Sequence, residues 1–125
     1  MDDKKKVVYI AGPITGVKNY WEAFEKAEED LIGLGYIPLS PAHLPQGMTN
    51  AQYARIDFAM IDSADAVLFL PGWENSEGAY LEMRYCRYTA KPLTFLQASH
   101  RSGEVIPRKT IQDWLKNDLK EVFKQ

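Results

Sequence analysis

The segment Ile56–Glu82, IDFAMIDSADAVLFLPGWENSEGAYLE, reads as a helix, a buried strand, a glycine-containing loop and a second helix, with one carboxylate on each helix. On a helix of about 3.6 residues per turn, Ile56, Met60, Tyr53, Ala64, Ile61, Ala54 and Phe58 form one broad apolar face. Asp57 falls at the middle of that face, with Arg55 and Asp62 opposite. An acid at the centre of a core-facing stripe is costly unless it is paired, hydrogen-bonded or opened into a cleft. It is either a structural acid bonded to nearby backbone N–H groups or part of a site.

The second carboxylate is Glu82. On the helix beginning near Ser76, Ala79, Met83, Cys86 and Ala90 share one side, Glu77 and Arg84 point away, and Arg87 lies on the far border. Glu82 lies on the near border of the buried side, where a rim acid is either solvated or salt-bridged, or meets a cleft. Its setting favours the cleft: an apolar strand (Ala66–Leu70), a loop, and Gly78 just before the acid. Open parallel sheets bind ligands beyond the carboxyl ends of their strands, at such strand-to-helix loops.

The flanking sequence repeats the alternation. Lys6–Ala11 is a β-branched strand closed by Gly12-Pro13, and the loop GPITG can bring backbone close to a ligand. It lacks the spacing of a P-loop or of a dinucleotide fingerprint. Asn19 is placed to cap a helix to about Leu34, with Trp21, Phe24, Ala27, Leu31 and Leu34 inward and Glu22, Lys26, Glu29 and Asp30 outward. Gly35 ends it. Tyr36–Leu39 is a second strand, and the proline-containing loop Ser40–Asn50 is long enough to wall a pocket. Pro92–Leu96 is a fourth strand, Gln97–Arg108 a loop, and Lys109–Phe123 a closing helix with Ile111, Trp114, Leu115, Leu119 and Val122 inward. The expectation is a three-layer α/β sandwich on a small parallel sheet of four or five strands, flavodoxin- or Rossmann-like. The loops after the first and third strands then open on one edge, bringing Tyr9–Gly12, Asp57 and Glu82 toward one cleft.

The 125 residues suit one domain with a real core, and the apolar (46%) and charged (26%) fractions are those of a globular protein. A net charge of −2 gives no electrostatic case for a nucleic-acid polymer, and the basic runs Lys4-Lys5-Lys6 and Arg108-Lys109 read as solvated surface. The single Cys86 excludes an internal disulfide and reads as a buried space-filler; His43 and His100 lack ligand spacing, so no metal site is expected. No signal peptide or membrane span is evident, which points to the cytoplasm.

Together the segments YIAGPITG (Tyr9–Gly16), GYIPLSPA (Gly35–Ala42), YARIDFAMIDSADAVLFLPGWENSEGAYLE (Tyr53–Glu82) and Lys91-Pro92 are similar to the nucleoside 2-deoxyribosyltransferase superfamily, which includes the 2′-deoxynucleoside 5′-monophosphate N-hydrolases. The resemblance spans roughly Val7 to Phe95 and is strongest to short deoxyribosyltransferase-like chains. It implies that Glu82 is the nucleophile at C1′ of the deoxyribose, that Asp57 handles the base or orients the sugar, and that Tyr9 holds and tunes the glutamate. Tyr9 reads equally as a core tyrosine at a strand end. Gly12 and Pro13 match the loop lining the sugar pocket by backbone. Where the transferases carry an aspartate, this chain has Ser76. A serine there is similar to the hydrolases, in which it helps bind the 5′-phosphate, and it serves as well as a helix cap. Pro107 falls near the place of a second serine that those hydrolases draw from a neighbouring subunit; Arg84, Arg87 or Arg108 are possible substitutes. The resemblance also implies a homo-oligomer with the site near a subunit boundary.

The implied chemistry resembles retaining glycoside hydrolysis. A carboxylate captures an oxocarbenium-like centre, the base leaves with a proton, and water or a second base resolves the glycosyl ester. That assigns an ionised Glu82 held by Tyr9, and Asp57 as the acid, its pKa raised by apolar surroundings. No cofactor or metal is required. Trp73 or Tyr20 is placed to line a slot for the base, although Trp73 also suits packing or an oligomer contact. Two further readings share the architecture: a nucleotide-binding protein without turnover, acting as sensor or sequestering protein, and an NAD-cleaving glycohydrolase.

Overall fold

The computed structural model describes residues 4–96 and 107–124. Strands and helices alternate as β1 (Val7–Ala11), α1 (Tyr20–Gly33), β2 (Ile37–Leu39), α2 (Asn50–Ser63), β3 (Ala66–Phe69), α3 (Glu77–Thr89), β4 (Leu93–Phe95) and α4 (Arg108–Val122). Short 3-10 turns at Pro41–His43 and Trp73–Asn75 precede α2 and α3. Among the described residues the four strands form one parallel sheet in the order β2-β1-β3-β4. The expected three-layer α/β sandwich is present. The expected loop Gln97–Arg108 lies mostly outside the described residues.

Strand side chains alternate between the two faces of the sheet. Val8, Ile10, Leu68 and Leu70 meet Phe24, Ala27 and Leu31 of α1 and Leu115 and Leu119 of α4. Tyr9, Ala11, Val67 and Phe69 meet Ile61 of α2 and Met83 and Cys86 of α3. With both faces covered, β1 and β3 need apolar residues at every position, as their sequences show.

The chain leaves β1 toward β2 on one side and resumes at β3 on the other, so the C-terminal ends of β1 and β3 form a topological switch point. Two glycines serve the loops there. A Cβ on Gly12 would lie 3.0 Å from Leu70 Cβ and 3.3 Å from Phe24 Cζ. Gly72 has φ 89°, and a Cβ there would meet Pro13 Cγ at 3.3 Å, so the two loops abut as expected.

Several faces differ from the sequence expectation. Asn19 occupies the cap position of α1 in a left-handed conformation (φ 58°) without a side-chain bond. Trp21 is 49% exposed, whereas Asp30 is buried. Asp30 accepts bonds from Arg108 Nη2 (2.9 Å), Arg108 Nε (3.3 Å) and Gln112 Nε2 (2.8 Å). The α1–α4 seam is therefore pinned by an acid, and Arg108 is a clamp rather than merely solvated surface. Trp114 of α4, expected inward, is exposed. α2 begins in a capping box between Thr49 and Gln52 and buries only Ile61 completely; Ile56, expected inward, is 37% exposed. Ala90 closes α3 in a left-handed turn (φ 61°) instead of joining its buried side.

Replacing Gly12 with alanine forces a methyl into contact with Leu70 and Phe24. We expect Gly12→Ala to lose about 1–3 kcal/mol in urea unfolding, with the fold retained by circular dichroism.

Candidate active site

Tyr9 lies on β1 one step before Ile10, so the alternation that sends Val8 and Ile10 toward α1 and α4 sends the phenol toward α2 and α3. Ser76 sets the phase of α3: its Oγ accepts the Ala79 N–H at 3.2 Å and starts the helix at Glu77. Glu82 then falls on the sheet-facing side with Ala79, Met83 and Cys86. Across this layer Tyr9 Oη donates to Glu82 Oε2 at 2.7 Å, with Tyr9 inaccessible to solvent and Glu82 6% exposed. The border position expected for Glu82 thus becomes a buried one.

Asp57 approaches from α2. It is half-buried, and its Oδ1 is enclosed with no hydrogen-bond partner among the described residues. The backbone N–H partners of a structural acid are therefore not supplied to that oxygen. Burial pushes Asp57 up to about 6, and a bond from Glu82 partly offsets this. Burial pushes Glu82 up to about 8; Tyr9 opposes the rise, and the charge of Asp57 adds to it. Two ionised carboxylates have no proton to share, so a bond between them requires that the pair hold at least one proton. The pair is the titrating unit. The deeper acid is Glu82, so burial ranks the two opposite to the sequence assignment of an ionised Glu82 and a protonated Asp57. Burial, then Glu82 and Asp57, hold the Tyr9 phenol well above its ordinary value, so it stays a neutral donor. Burial first, then Glu82, pushes the Cys86 thiol up to about 12, which keeps it protonated and unreactive.

Gly12 and Pro13 follow the end of β1, where Gly12 is buried against Leu70 and Phe24. Its lack of a side chain thus has a packing cause of its own. Gly78 sits in the first turn of α3, and a Cβ there would meet nothing within 4 Å. Trp73 stacks with Phe95 (centroids 5.0 Å) and Tyr80 (6.0 Å) and meets Phe69 edge-on (5.7 Å), so it belongs to a cluster of four rings. Arg108 is held on the opposite layer by Asp30, and Arg87 Nε points to Met83 Sδ at 3.1 Å. Tyr20 packs edge-on against Trp21, centroids 5.7 Å apart. Depressions of about 480 Å³ (Leu39, Arg55, Ile56, Ala59, Met60 and Ser63) and about 250 Å³ (between α1 and α4) lie in the surface, and neither includes the acids or Tyr9.

The sheet order and the switch point define an open, doubly wound parallel α/β fold. The chain belongs to the family defined by the domain of unknown function DUF4406, whose model matches residues 6–95. A 2-deoxyribosyltransferase from the psychrotolerant bacterium Bacillus psychrosaccharolyticus has a similar structure, with a TM-score of 0.60 and 20% identity over 82% of this chain and 78% of that one. No curated protein matches the sequence. Among the described residues no helix is long and apolar enough to cross a membrane.

Because both carboxyls have raised pKa values, the folded state binds their protons more tightly than the unfolded chain does. That contribution is full below about pH 4, near the unfolded values, and is lost as pH rises through about 6 and then about 8. Glu82→Gln removes the deeper ionisation while leaving an acceptor for Tyr9. We expect this variant to match the wild type near pH 4.5 and to exceed its stability by on the order of 2–4 kcal/mol at pH 8.5, measured by thermal or urea unfolding.

Proposed function

We propose that this protein cleaves or exchanges the N-glycosidic bond of 2′-deoxynucleosides or their 5′-monophosphates. The observation that carries the reading is the buried Tyr9–Glu82 hydrogen bond beside Asp57, in the layer that meets the switch point of a deoxyribosyltransferase-like sheet. Glu82 is the nucleophile, Asp57 the acid and Tyr9 the group that holds Glu82. Gly12 and Pro13 line the sugar by backbone. The exposed first turn around Gly78 leaves room for substrate, and Ser76 retains a hydroxyl proton to donate while its oxygen caps α3. Trp73 presents the edge of its ring cluster to the base.

The empty pair keeps its proton toward Glu82, the more deeply buried acid. A bound nucleoside covers Asp57 and removes more of its water, while positive charge developing at C1′ favours an ionised Glu82. Both effects move the proton to Asp57. A Glu82 oxygen then bonds to C1′, the C1′–N bond breaks with its electrons passing to the base, and the Asp57 proton neutralises the base at N7 or at O2/N3. Water completes hydrolysis by attacking C1′ of the glycosyl ester and expelling the Glu82 carboxylate, with its proton returning to Asp57; a second base in place of water gives transfer.

Large exposed apolar residues adjoin each acid in the chain: Ile56 (37% exposed) beside Asp57 and Leu81 (50% exposed) beside Glu82. We propose that a second copy covers this surface, giving a homo-oligomer whose boundary closes the site. The alternative of nucleotide binding without turnover draws support from the proton that the empty Glu82 retains.

The test is incubation with the four deoxynucleosides, their 5′-monophosphates and NAD, with chromatography for free base. Wild-type protein should release base from at least one deoxynucleoside or monophosphate, and Asp57→Asn should do so about a hundred- to ten-thousandfold more slowly. Glu82→Ala should abolish release. The pH profile of kcat/KM should be bell-shaped, with limbs near pH 6 and pH 8, because only the singly protonated pair has both a nucleophile and an acid. Absence of release by the wild type from every deoxynucleoside and monophosphate overturns the proposal. Release from NAD alone would assign the glycohydrolase reading, and a thermal shift with mononucleotides but no product would assign the binding reading.

A further inference from the structure

The two helices that carry the acids are held to the sheet unequally. α3 buries Ala79, Glu82, Met83 and Cys86, whereas α2 buries only Ile61 completely. α2 also approaches β1 and sets Phe58 and Met60 against the core, but with one fully buried residue its placement draws more on its contacts with α3.

The main such contact is Tyr85 of α3, close to one helical turn beyond Glu82. Its ring lies over that of Phe58, the residue following Asp57, with centroids 4.4 Å apart and planes 7° from parallel. Its hydroxyl donates to Asp62 Oδ1 at 2.6 Å, a short charge-assisted bond. Phe58 and Asp62 are four apart on α2, so one side chain engages two successive turns along a single ridge. Lys91 Nζ adds a tie beyond the helix end, donating to Ala64 O at 2.6 Å.

We propose that Tyr85 is a positioning residue for the carboxylate pair: by bridging Phe58 and Asp62 it sets the distance at which Asp57 faces Glu82. It acts through α2 and not on substrate. The stack locates the turn bearing Asp57, and the bond to Asp62 stops α2 from rotating about that stack. Its relevance to catalysis rests on the function proposed above, but the geometric claim does not.

The coupling between two carboxyls falls with their separation, so their titration reports the spacing. Among the described residues the other ionisable groups facing the pair are Tyr9 from β1 and Cys86 from α3, and neither is altered by changing Tyr85. Carboxyl-carbon NMR titrations of Asp57 and Glu82 should be recorded for the wild type, Tyr85→Leu, Tyr85→Phe and Asp62→Asn. In Tyr85→Leu, which loses both stack and bond, the two steps should draw together by roughly one pH unit. Tyr85→Phe and Asp62→Asn keep the stack and should show a smaller shift of a few tenths of a unit. The kcat/KM of Tyr85→Leu should fall at least tenfold, with a narrowed bell. Unmoved steps in natively folded Tyr85→Leu overturn the inference; if that variant does not fold, unmoved steps in the surface variant Asp62→Asn overturn it. Because the titration needs no substrate, a wild type that releases no base sinks the proposed reaction and leaves this inference standing, while unmoved steps in an active enzyme sink this inference alone.

Discussion

The hydrogen bond from Tyr9 to Glu82 is the contact on which the arrangement of this molecule turns. It joins an interior strand to a helix across a largely apolar layer, and it exists only if two independent choices agree. The side-chain period of β1 is two, so a slip of one residue would carry the phenol to the α1–α4 face and present Val8 or Ile10 to Glu82. The phase of α3 is equally strict, because its start at the Ser76 cap determines which residues face the sheet. Register pairs of β1 with β3 at Tyr9–Val67 and Ala11–Phe69 hold one side of the bond, and the buried Ala79, Met83 and Cys86 hold the other.

How the chain treats its other buried acid gives the contrast that makes this pair informative. Asp30 is tied by two nitrogens of Arg108 and by Gln112, which is how a structural carboxylate is satisfied. Glu82 has one neutral donor, and Asp57 Oδ1 has none among the described residues. Both acids are consequently raised by burial, and the charge of Asp57 adds to the cost of ionising Glu82. A packed core does not need such a pair; alanine and leucine would fill the space at less cost. Local rules broken without structural compensation are where a site is to be sought.

The layers were legible in the sequence because they rest on repeating signals. Unbroken apolar runs at Val7–Ala11 and Ala66–Leu70, alternating with amphipathic helices, leave little choice but a parallel sheet covered on both faces. The convergence of Tyr9, Asp57 and Glu82 was legible from their phase on strand and helix, together with a resemblance that ordered them. What was not legible depended on partners distant along the chain. Asp30 looks outward by period, and only the arrival of Arg108 from 78 residues away makes it an interior group. Ile56 looks inward by period, but α2 presses on the sheet mainly through Ile61, leaving the rest of that stripe uncovered. Tyr85 gave no signal, because its importance lies in two residues of another helix. The Thr49–Gln52 capping box is readable from its spacing and starts α2 at Asn50, where the expected loop ends.

A fold shared at 20% identity carries architecture and leaves the reaction open, since such sheets host many chemistries. What favours a glycosyl reaction is therefore the composition of the site. Two carboxyls with a single proton supply a nucleophile and an acid together, and a neutral phenol steadies one without competing for the other. The pair is anionic with no basic residue bonded to it among the described residues, which suits a centre that becomes cationic in the transition state. The same feature disfavours a permanently bound anion beside the acids, so a 5′-phosphate would have to sit toward Ser76 and Gly78 at the start of α3, away from Asp57. The helix end supplies partial positive charge there, and Ser76 keeps its hydroxyl proton available for donation.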